Sequence, residues 1–497
     1  MTSPIFDNSY ARLPTTFFSH CDASVVQDPQ LICFNHSLAE KLKLTDLALD
    51  KAENIAFLAG NKFLPNSTPI AMAYAGHQFG HLSHPLGDGR AILLGEVIDN
   101  EQQRYSIQLK GAGRTAYSRG GDGRSALGPV LREYLLSEAM FKLGIPTTRA
   151  LAAVTTGETV LRNNRVAGGI LTRVSQGFIR VGTFEYFMAL GDYPAIKQLA
   201  DYVIDLHYPN VKETENPYLA LLAAVADRQA KLIARWMNIG FIHGVMNTDN
   251  MSIVGETIDY GPCAFMDGFN QQQVFSSIDR HARYAYGNQA QIGQWNLARL
   301  AETLLPLINE TMGNSDKDSE MAVEQATKVL NEYKETYQNH WRIGMCQKLG
   351  CLTEQSQDKE LIEALLTLMH QDHADFSLVF FHLSEYHQNK QANQLMSLFK
   401  QQATLQTWLE KWQQRCQLEN NTPMQQYALM RSVNPVYIPR NHQVEAVIRA
   451  AEDHNDFSLF HELHAVLKTP YTVQEDKQHY QAAPTANEIV EKTFCGT

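Results

Sequence analysis

The hydrophobic pattern divides the chain into a strand-rich first part and a helix-rich remainder. Between about residues 65 and 174, short apolar runs alternate with glycine-containing turns, beginning with RAILLGEVI (residues 90–98) and RYSIQLK (residues 104–110). The stretch that starts at Leu127 has apolar residues at helical spacing, and Gly144 and Pro146 predict where that helix ends. Three further strand-like runs follow it: RALAAVTT, ETVLR and GGILTRV.

After about Gly182 the pattern becomes helical. A clear amphipathic helix is predicted over residues 218–238, and nearly everything beyond residue 292 has helical spacing. Between them, the short runs MSIV and TIDY flank a glycine turn and predict a small β-hairpin. The tail after Thr469 is polar, so we expect it to be ordered only where it docks.

This order predicts an α+β protein with a small β-rich lobe followed by a larger α-helical lobe, the layout of the protein-kinase fold. The expected divisions are an N-terminal extension (1–63), a strand-rich lobe with nucleotide-binding loops (64–181), a helical lobe with the catalytic and metal-binding loop (182–430) and a C-terminal helical extension and tail (431–497). A chain of 497 residues is long enough for several such units.

Charge and cysteine content exclude some classes of function. The chain has 42 basic and 53 acidic residues, a formal net charge of −11, and no basic run, which disfavours nucleic-acid binding. Its seven cysteines are scattered without a CxxC pair, which argues against a disulfide scaffold and against a thiolate zinc site. No stretch of eighteen apolar residues occurs, and residues 1–14 lack the apolar core of a secretory signal. We therefore expect a cytoplasmic protein, a monomer with no membrane partner.

Several residues follow the order in which a kinase fold uses them to bind a nucleotide. Gly87 and Gly89 form a turn before a strand, where backbone N–H groups can approach phosphate oxygens. Lys110 ends the next strand, and Glu133 in the following helix could hold it by an ion pair. Each residue alone is more often part of an ordinary turn or a solvated surface, but their joint order favours a nucleotide site.

Asn250 and Asp259 bracket the predicted hairpin much as the two magnesium ligands of kinases do. An isolated Asn or Asp in a turn more often bonds to backbone, so again the order carries the argument. Kinases also place a catalytic Asp five residues before the metal-binding Asn, and here that position is Val245. The nearest carboxylate is Asp249, so the chain is either an inactive pseudokinase or reacts at a different phosphorus.

Additional arginines favour the second option. They lie in the loop after Lys110 and after the strand GGILTRV, and they are Arg114, Arg119, Arg124, Arg173 and Arg180. Surface salt bridging is the ordinary role for such residues, but arginines beside glycines are also what a polyphosphate requires. The chain has no GxxxxGK[ST] motif, and GAGRTA lacks the third glycine of a dinucleotide fingerprint.

At these residues the chain resembles the selenoprotein O family of protein adenylyltransferases. The matching segments span nearly the whole chain: FDNSYARLP (6–14), YAGHQFG (74–80), LGDGRAILLGE (86–96), LKGAGRTAYSRGGDGR (109–124), LGIPTTRAL (143–151), HGVMNTDNMSI (243–253), DYGPCAFMD (259–267) and SVNPVYIPRN (432–441).

The resemblance implies a pseudokinase fold that binds ATP in a flipped orientation and transfers AMP to Ser, Thr or Tyr hydroxyls of protein substrates. It implies Asn250 and Asp259 as ligands of Mg²⁺, or of Mn²⁺, and Asp249 as the proton acceptor. Glu133 would pair with the lysine. The implied ATP-binding residues are Gly87, Gly89, Arg90, Lys110, Asp122, Gly123, Arg173, Arg180 and Asp259. A carboxylate with an ordinary pKa of about 4 is ionised at pH 7, so this role of Asp249 requires no pKa shift.

The resemblance also implies a possible redox role for Cys495, since family members can form a regulatory disulfide from this tail. Cys263 is the nearest-looking partner, and an inert terminal thiol is the alternative. For His77, His81 and His84 we expect a structural role, because the surrounding glycine and proline break any helix that would align them.

Four activities remain open from the sequence: AMP transfer, UMP transfer from UTP with Mn²⁺, γ-phosphate transfer with Asp249 as a shifted base, and a catalytically inactive ATP-binding scaffold.

Overall fold

The computed structural model describes residues 6–48 and 51–494. Cys495, for which a redox role is implied, lies outside the described residues. The strands are β1 (Phe18–His20), β2 (Leu31–Phe34), β3 (Ile70–Met72), β4 (Gly76–Gln78), β5 (His81–Ser83), β6 (Ala91–Ile98), β7 (Arg104–Lys110), β8 (Ser125–Ala126), β9 (Arg149–Leu161), β10 (Arg165–Ser175), β11 (Phe241–Ile242) and β12 (Ala264–Phe265).

The helices concentrate in the second part of the chain. They are α1 (His36–Lys41), α2 (Ala52–Leu58), α3 (Leu127–Lys142), α4 (Val181–Leu190), α5 (Tyr193–His207), α6 (Pro217–Asn238), α7 (Gln289–Met312), α8 (Asp316–Lys348), α9 (Asp358–Asp372), α10 (Phe376–Asn389), α11 (Asn393–Ser397), α12 (Gln402–Cys416), α13 (Pro423–Val433), α14 (Asn441–His454) and α15 (Ser458–Leu467). The predicted α+β class is confirmed, and α3 and α6 lie where the apolar spacing predicts them. No helix in the described ranges has the length and apolar content needed to cross a bilayer.

An antiparallel sheet organises the first part of the chain. Its strand order is β1-β3-β6-β7-β10-β9-β2, and β8 pairs with β10. The central strands are buried on both faces, which explains why RAILLGEVI and GGILTRV are nearly continuous apolar runs. One face packs against α3, whose residues from Leu127 to Met140 are almost all buried. The sheet and α3 thus form one rigid unit that presents the end of β7.

Helix α6 contributes to two hydrophobic cores, each of which also includes residues of the sheet. This helix packs against α7 and α8, and its apolar stripe includes the buried residues Leu222, Val225 and Ile233. Pro217 lies in its first turn, and the side chain of Asn216 accepts a hydrogen bond from the Leu219 N–H. The start of the helix is therefore encoded locally.

Helices from the end of the chain close over α3. Helix α14 packs along α3, and Glu452 accepts a hydrogen bond of 2.9 Å from the Gly128 N–H. Residues more than 300 positions apart in sequence therefore hold the helix that carries Glu133. The polar tail beyond Thr469 contains a short 3-10 turn, Gln478–Tyr480, and docks again at Thr493, whose hydroxyl donates to the Pro262 carbonyl at 2.6 Å.

The predicted hairpin of MSIV and TIDY is wrong. The two runs do not pair with each other; instead, Ser252 forms a single bridge with Arg180, and Thr257 forms one with Thr147. Ile253 and Ile258 are each 1% exposed, so both runs lie in the interior rather than on a surface. The backbone groups of these two runs thus pair with distant segments, at Arg180 and Thr147, instead of pairing with each other as in a hairpin.

The same segment contains a buried carboxyl. Glu256 accepts a hydrogen bond of 2.6 Å from the Ser175 hydroxyl and a longer one from the Gln176 N–H. Burial raises the pKa of Glu256 to about 7, and these hydrogen bonds offset only part of the shift. Since the folded pKa lies above the unfolded value of 4.5, ionising Glu256 costs stability as the pH rises toward 7.

We therefore predict that Glu256→Gln raises the free energy of unfolding by about 1–3 kcal/mol at pH 8. The gain should be much smaller at pH 5, where the folded carboxyl is mostly protonated. Chemical denaturation at the two pH values measures this, with the exposed Glu213→Gln as the matched control. An equal gain at both pH values would show that Glu256 is not the titrating group.

Candidate active site

A cavity of about 760 Å³ lies between the sheet and the helical region. Its lining comes from the glycine-rich turn before β6, the end of β7, the loop before β8, helix α3, strand β10 and the segment around Asp249 and Asp259. Every residue that the sequence predicts for the nucleotide site or as a metal ligand, proton acceptor or ion-pair partner lines this cavity: Gly87, Gly89, Arg90, Lys110, Asp122, Gly123, Glu133, Arg173, Arg180, Asp249, Asn250 and Asp259.

Lys110 ends β7 and reaches two carboxylates. Its Nζ lies 2.6 Å from Glu133 Oε2 and 2.7 Å from Asp259 Oδ1. The side chains of Lys110 and Glu133 are both largely buried, at 12% and 6% exposure. Because α3 packs flat on the sheet, its inner face presents Glu133 to the end of the strand.

Arg173 supplies a second cation to the same carboxylates. Its Nη1 lies 2.7 Å from Asp259 Oδ1 and 3.2 Å from Glu133 Oε1. On β10, Arg173 is in register with Gln108 of β7, and its Nε donates to the Gln108 side chain at 2.8 Å. Cross-strand pairing therefore fixes the guanidinium before any ligand arrives.

Arg180 precedes α4 and supplies the third cation. Its Nη2 lies 3.5 Å from Asp259 Oδ2 and 3.8 Å from Asp88 Oδ1, and its guanidinium stacks 4.3 Å from the centre of the Tyr74 ring. Arg180 is 2% exposed, and its Nε has no hydrogen-bond partner among the described residues. Surface salt bridging, the ordinary alternative for this arginine and for Arg173, does not apply because both are buried.

Asp259 is the carboxylate on which the three cations converge. Burial alone would raise its pKa, but the charges of Lys110, Arg173 and Arg180 outweigh burial and hold the pKa of Asp259 well below its usual range. Asp259 also has a φ of 63°, a left-handed conformation that is unusual outside glycine. A strained backbone conformation persists only where surrounding contacts hold it, and here the ion pairs with the three cations hold Asp259.

Asp249 occupies a different environment in the same cavity. It lies in the 3-10 turn Thr248–Asn250, and its Oδ2 accepts a hydrogen bond of 3.1 Å from Gln78 Nε2. Its Oδ1 is buried and has no hydrogen-bond partner among the described residues. Burial raises the pKa of Asp249 to about 6, and the Gln78 hydrogen bond and the charge of Arg180 offset only part of the shift. The ionised form, which can accept a proton, is still the major form at pH 7.

The β4–β5 hairpin holds this aspartate from the other side. A Cβ at Gly76 would lie 2.3 Å from Asp249 Oδ1, so the backbone of β4 touches the carboxylate directly. The His77 N–H donates to the Thr248 hydroxyl at 2.6 Å, and His77 Nδ1 lies 2.5 Å from Glu185. His77 thus ties the hairpin to α4, which is a structural role. The described residues contain no cluster of three or more His, Cys, Asp or Glu side chains that could hold a metal ion.

Asn250 and Val245 are joined by a hydrogen bond. The Asn250 Nδ2 donates to the Val245 carbonyl at 2.9 Å, which leaves the amide oxygen of Asn250 as the atom available to a cation. Val245, which has the sequence spacing of a kinase base relative to Asn250, is buried and lines the cavity. Asp249, the carboxylate nearest to Asn250 in sequence, lines the same cavity.

The glycine-rich loops form the mouth of the cavity. Gly87 has a φ of 87°, and a Cβ there would lie 2.4 Å from the Tyr117 ring, so only glycine fits. Ser118 Oγ donates to the Gly89 carbonyl at 2.5 Å and ties the two loops together. Asp122 is at the outer edge, where its carboxylate pairs with Arg162 at 2.8 Å.

Four residues that shape the site were not predicted. Asp88, Gln108, Tyr74 and Gln78 support the charged groups, and Asp88 accepts a hydrogen bond of 2.9 Å from Gln108 Nε2. Asp88 lies between the two predicted glycines, and Gln78 lies in the segment YAGHQFG, so the sequence motifs could have identified both. Tyr74 begins that same segment, whereas Gln108 lies outside the matching segments and only strand pairing identifies it.

Three largely buried cations around one carboxylate, beside a second carboxylate with an unpaired oxygen, are groups of the kind that phosphoryl and nucleotidyl transfer use. Comparison with known proteins defines the class. The profile described as "Protein adenylyltransferase SelO" matches residues 2–468. The Rhizobium johnstonii protein named "Protein nucleotidyltransferase YdiU" is 54% identical to this chain over 493 residues, which cover 99% of this chain and 97% of that protein. The Rhizobium meliloti protein of that name is 53% identical over 498 residues, with 100% of both chains covered.

The chain belongs to the SelO/YdiU family of protein nucleotidyltransferases. It is an enzyme of the AMPylation family, a transferase that uses a nucleotide as co-substrate and proteins as acceptors.

We predict that Gly76→Ala lowers protein nucleotidylation at least tenfold, because the added methyl must displace Asp249 by more than an ångström. Nucleotide affinity should change less than the rate, since Gly76 itself does not line the cavity. Initial rates and equilibrium nucleotide binding, each with Ser83→Ala in the same hairpin as control, measure the two effects. Full activity in a folded Gly76→Ala protein would mean that the position of Asp249 is unimportant.

Proposed function

We propose that the protein transfers AMP from ATP to Ser, Thr or Tyr hydroxyls of other proteins and releases pyrophosphate. In this proposal residues 64–181 and 182–430 are the two lobes of a kinase-like fold, with extensions before and after them. The α-phosphorus of ATP meets the acceptor, and the terminal phosphates lie deeper, among the buried cations.

The convergence of Lys110, Arg173 and Arg180 in the interior supports this orientation. Buried guanidinium groups are costly unless they meet negative charge, and a triphosphate supplies more of it than an adenine ring. Arg180 keeps one N–H without a partner, which a phosphate oxygen would satisfy. An adenine at this depth would bring no negative charge to these cations.

Asp249 is the proposed proton acceptor. Its unpaired Oδ1 would take the proton of the acceptor hydroxyl as that oxygen attacks the α-phosphorus. The new bond joins the hydroxyl oxygen to the α-phosphorus, and the bond from that phosphorus to the oxygen bridging to the β-phosphate breaks. Pyrophosphate leaves with the electron pair. Gln78 holds the other carboxylate oxygen and so fixes the direction of Oδ1.

Asn250 and Asp259 are the proposed ligands of Mg²⁺, with Mn²⁺ as a substitute. Carboxylate and amide oxygens are the hard ligands that both ions accept, and the hydrogen bond to Val245 leaves the amide oxygen of Asn250 for this purpose. When bound, the ion neutralises negative charge on the phosphates. Lys110, Arg173 and Arg180 then orient the triphosphate by their fixed positions.

The decisive experiment incubates the purified protein and an acceptor protein with ATP labelled at either the α- or the γ-phosphate. We expect α-label on protein and free pyrophosphate, and no γ-label on protein. Label from γ-ATP would identify a kinase with Asp249 as base, and no label from either would identify an inactive nucleotide-binding scaffold. A parallel reaction with α-labelled UTP and Mn²⁺ tests whether UMP is the group transferred.

Substitution of the two aspartates should separate their roles. Asp259→Ala should abolish AMP transfer, while Asp249→Ala should lower kcat by about 10²–10⁴-fold, the usual contribution of a general base. Since Asp259 neutralises buried cations, Asp259→Asn provides a second variant that keeps its shape. Asp201→Ala, in which a side chain that is 46% exposed is shortened, is the control, and thermal melting shows which variants fold. Full labelling by folded Asp259 variants would overturn the proposed metal site.

A further inference from the structure

A second groove of about 700 Å³ lies beside the catalytic cavity and shares Phe79 and Ile278 with it. The rest of its lining comes from His81 and from residues 279–295, which lead into helix α7. No role in the proposed reaction has been assigned to any of these residues. We call this feature the side groove.

The side groove begins at Phe79, the residue after Gln78, which contacts the proposed base Asp249. Gln78 donates to Asp249, and the next residue, Phe79, forms the wall between the two cavities. The Phe79 N–H donates to Asn247, and its ring lies 5.2 Å from that of Tyr284. The wall is therefore fixed from both sides, and a polypeptide with its hydroxyl at Asp249 can extend directly into the groove.

The side groove is cationic in a protein whose net charge is −11. Arg280 is exposed and Arg283 is half-buried, and neither forms an ion pair with a carboxylate in the described part of the chain. One acidic residue, Asp279, lines the groove, but it is buried and its two oxygens accept the backbone N–H groups of Arg283 and Tyr284. The carboxylate thus stabilises the turn that presents the arginines.

Arg283 is held in an orientation suited to a carboxylate. Its guanidinium lies 4.8 Å from the centre of the Trp295 ring, and its Nε is buried without a hydrogen-bond partner among the described residues. Stacking uses the face of a guanidinium and leaves the N–H groups at its edge for a planar acceptor. Two parallel N–H···O bonds to a carboxylate match that edge.

The groove also offers apolar surface. Ile278 is 58% exposed at the wall, and Ile292 and Trp295 line the floor. An acidic side chain on a polypeptide would place its methylene groups on these residues and its carboxylate on the arginines. A small inorganic anion would contact only the arginines.

We propose that the side groove binds an Asp or Glu side chain of the acceptor protein close to the hydroxyl that is modified. This inference rests on the proposed function, because it assigns the acceptor to the Asp249 side of Phe79. The enzyme then selects hydroxyls with acidic neighbours, although its overall negative charge repels acidic proteins at longer range.

Fluorescent Ser-containing peptides with Glu, Gln or Lys beside the serine test the proposal. Anisotropy with the full-length protein and a non-hydrolysable ATP analogue measures binding without any transfer, and α-labelled ATP measures transfer separately. We expect the Glu peptide to bind about tenfold more tightly than the Gln peptide, with the difference shrinking at high salt.

The charge-reversed variant Arg280→Glu/Arg283→Glu should lose the preference for Glu and gain one for Lys, with unchanged ATP affinity. Lys411→Glu, an exposed charge reversal on α12, is the matched control. Equal binding of the Glu and Gln peptides by the unaltered protein would overturn the proposal, as would a charge-reversed variant that keeps the preference. If reversal instead converted a dimer into a monomer in size-exclusion chromatography, the groove would bind a second copy of the chain, which also overturns it.

The two readouts keep this inference distinct from the proposed function. Discrimination between peptides in binding, without α-label transfer, would support the groove and contradict AMP transfer. Transfer of α-label without discrimination between the peptides would support AMP transfer and contradict the proposed role of the side groove.

Discussion

The site depends on the convergence of three cations on Asp259. Lys110 comes from the end of β7, Arg173 from the neighbouring strand β10 and Arg180 from the start of α4. A buried charge network of this kind contributes little net stability, because desolvation cancels much of the attraction, but it is strongly destabilised when one partner is removed. The sheet, α3 and the helical region must therefore dock in one arrangement for the interior charges to be satisfied.

The two aspartates of the site show how environment divides chemical roles. Both are buried, yet cations hold the pKa of Asp259 low, whereas burial raises the pKa of Asp249 to about 6 because the Gln78 hydrogen bond and the charge of Arg180 offset only part of the shift. Separated pKa values in paired carboxyls are typical of catalytic sites. The low value suits a group that stays charged against cations, and the raised value suits a group that must accept a proton.

Close backbone approach is the second constraint. The β4–β5 hairpin touches Asp249 through Gly76, positions Gln78 on its carboxylate and, through Phe79, separates the nucleotide cavity from the side groove. One short hairpin thus links the proposed base to the surface proposed for the acceptor. A rigid connection of this kind lets specificity and catalysis use the same positioned backbone.

The sequence by itself determined the α+β class, the helices α3 and α6, most strands of the sheet and the family, because periodicity and motifs are local properties of the chain. It also identified many of the residues that line the cavity, since motif order carries that information, but not Tyr74, Gln78 or Asp88. Only the tertiary structure decided that Arg173 and Arg180 are buried rather than paired at the surface, that MSIV and TIDY bond to distant segments, and that Asp249 has a raised pKa. Burial, long-range pairing and desolvation are sums over neighbours brought together by folding, and no local pattern contains them.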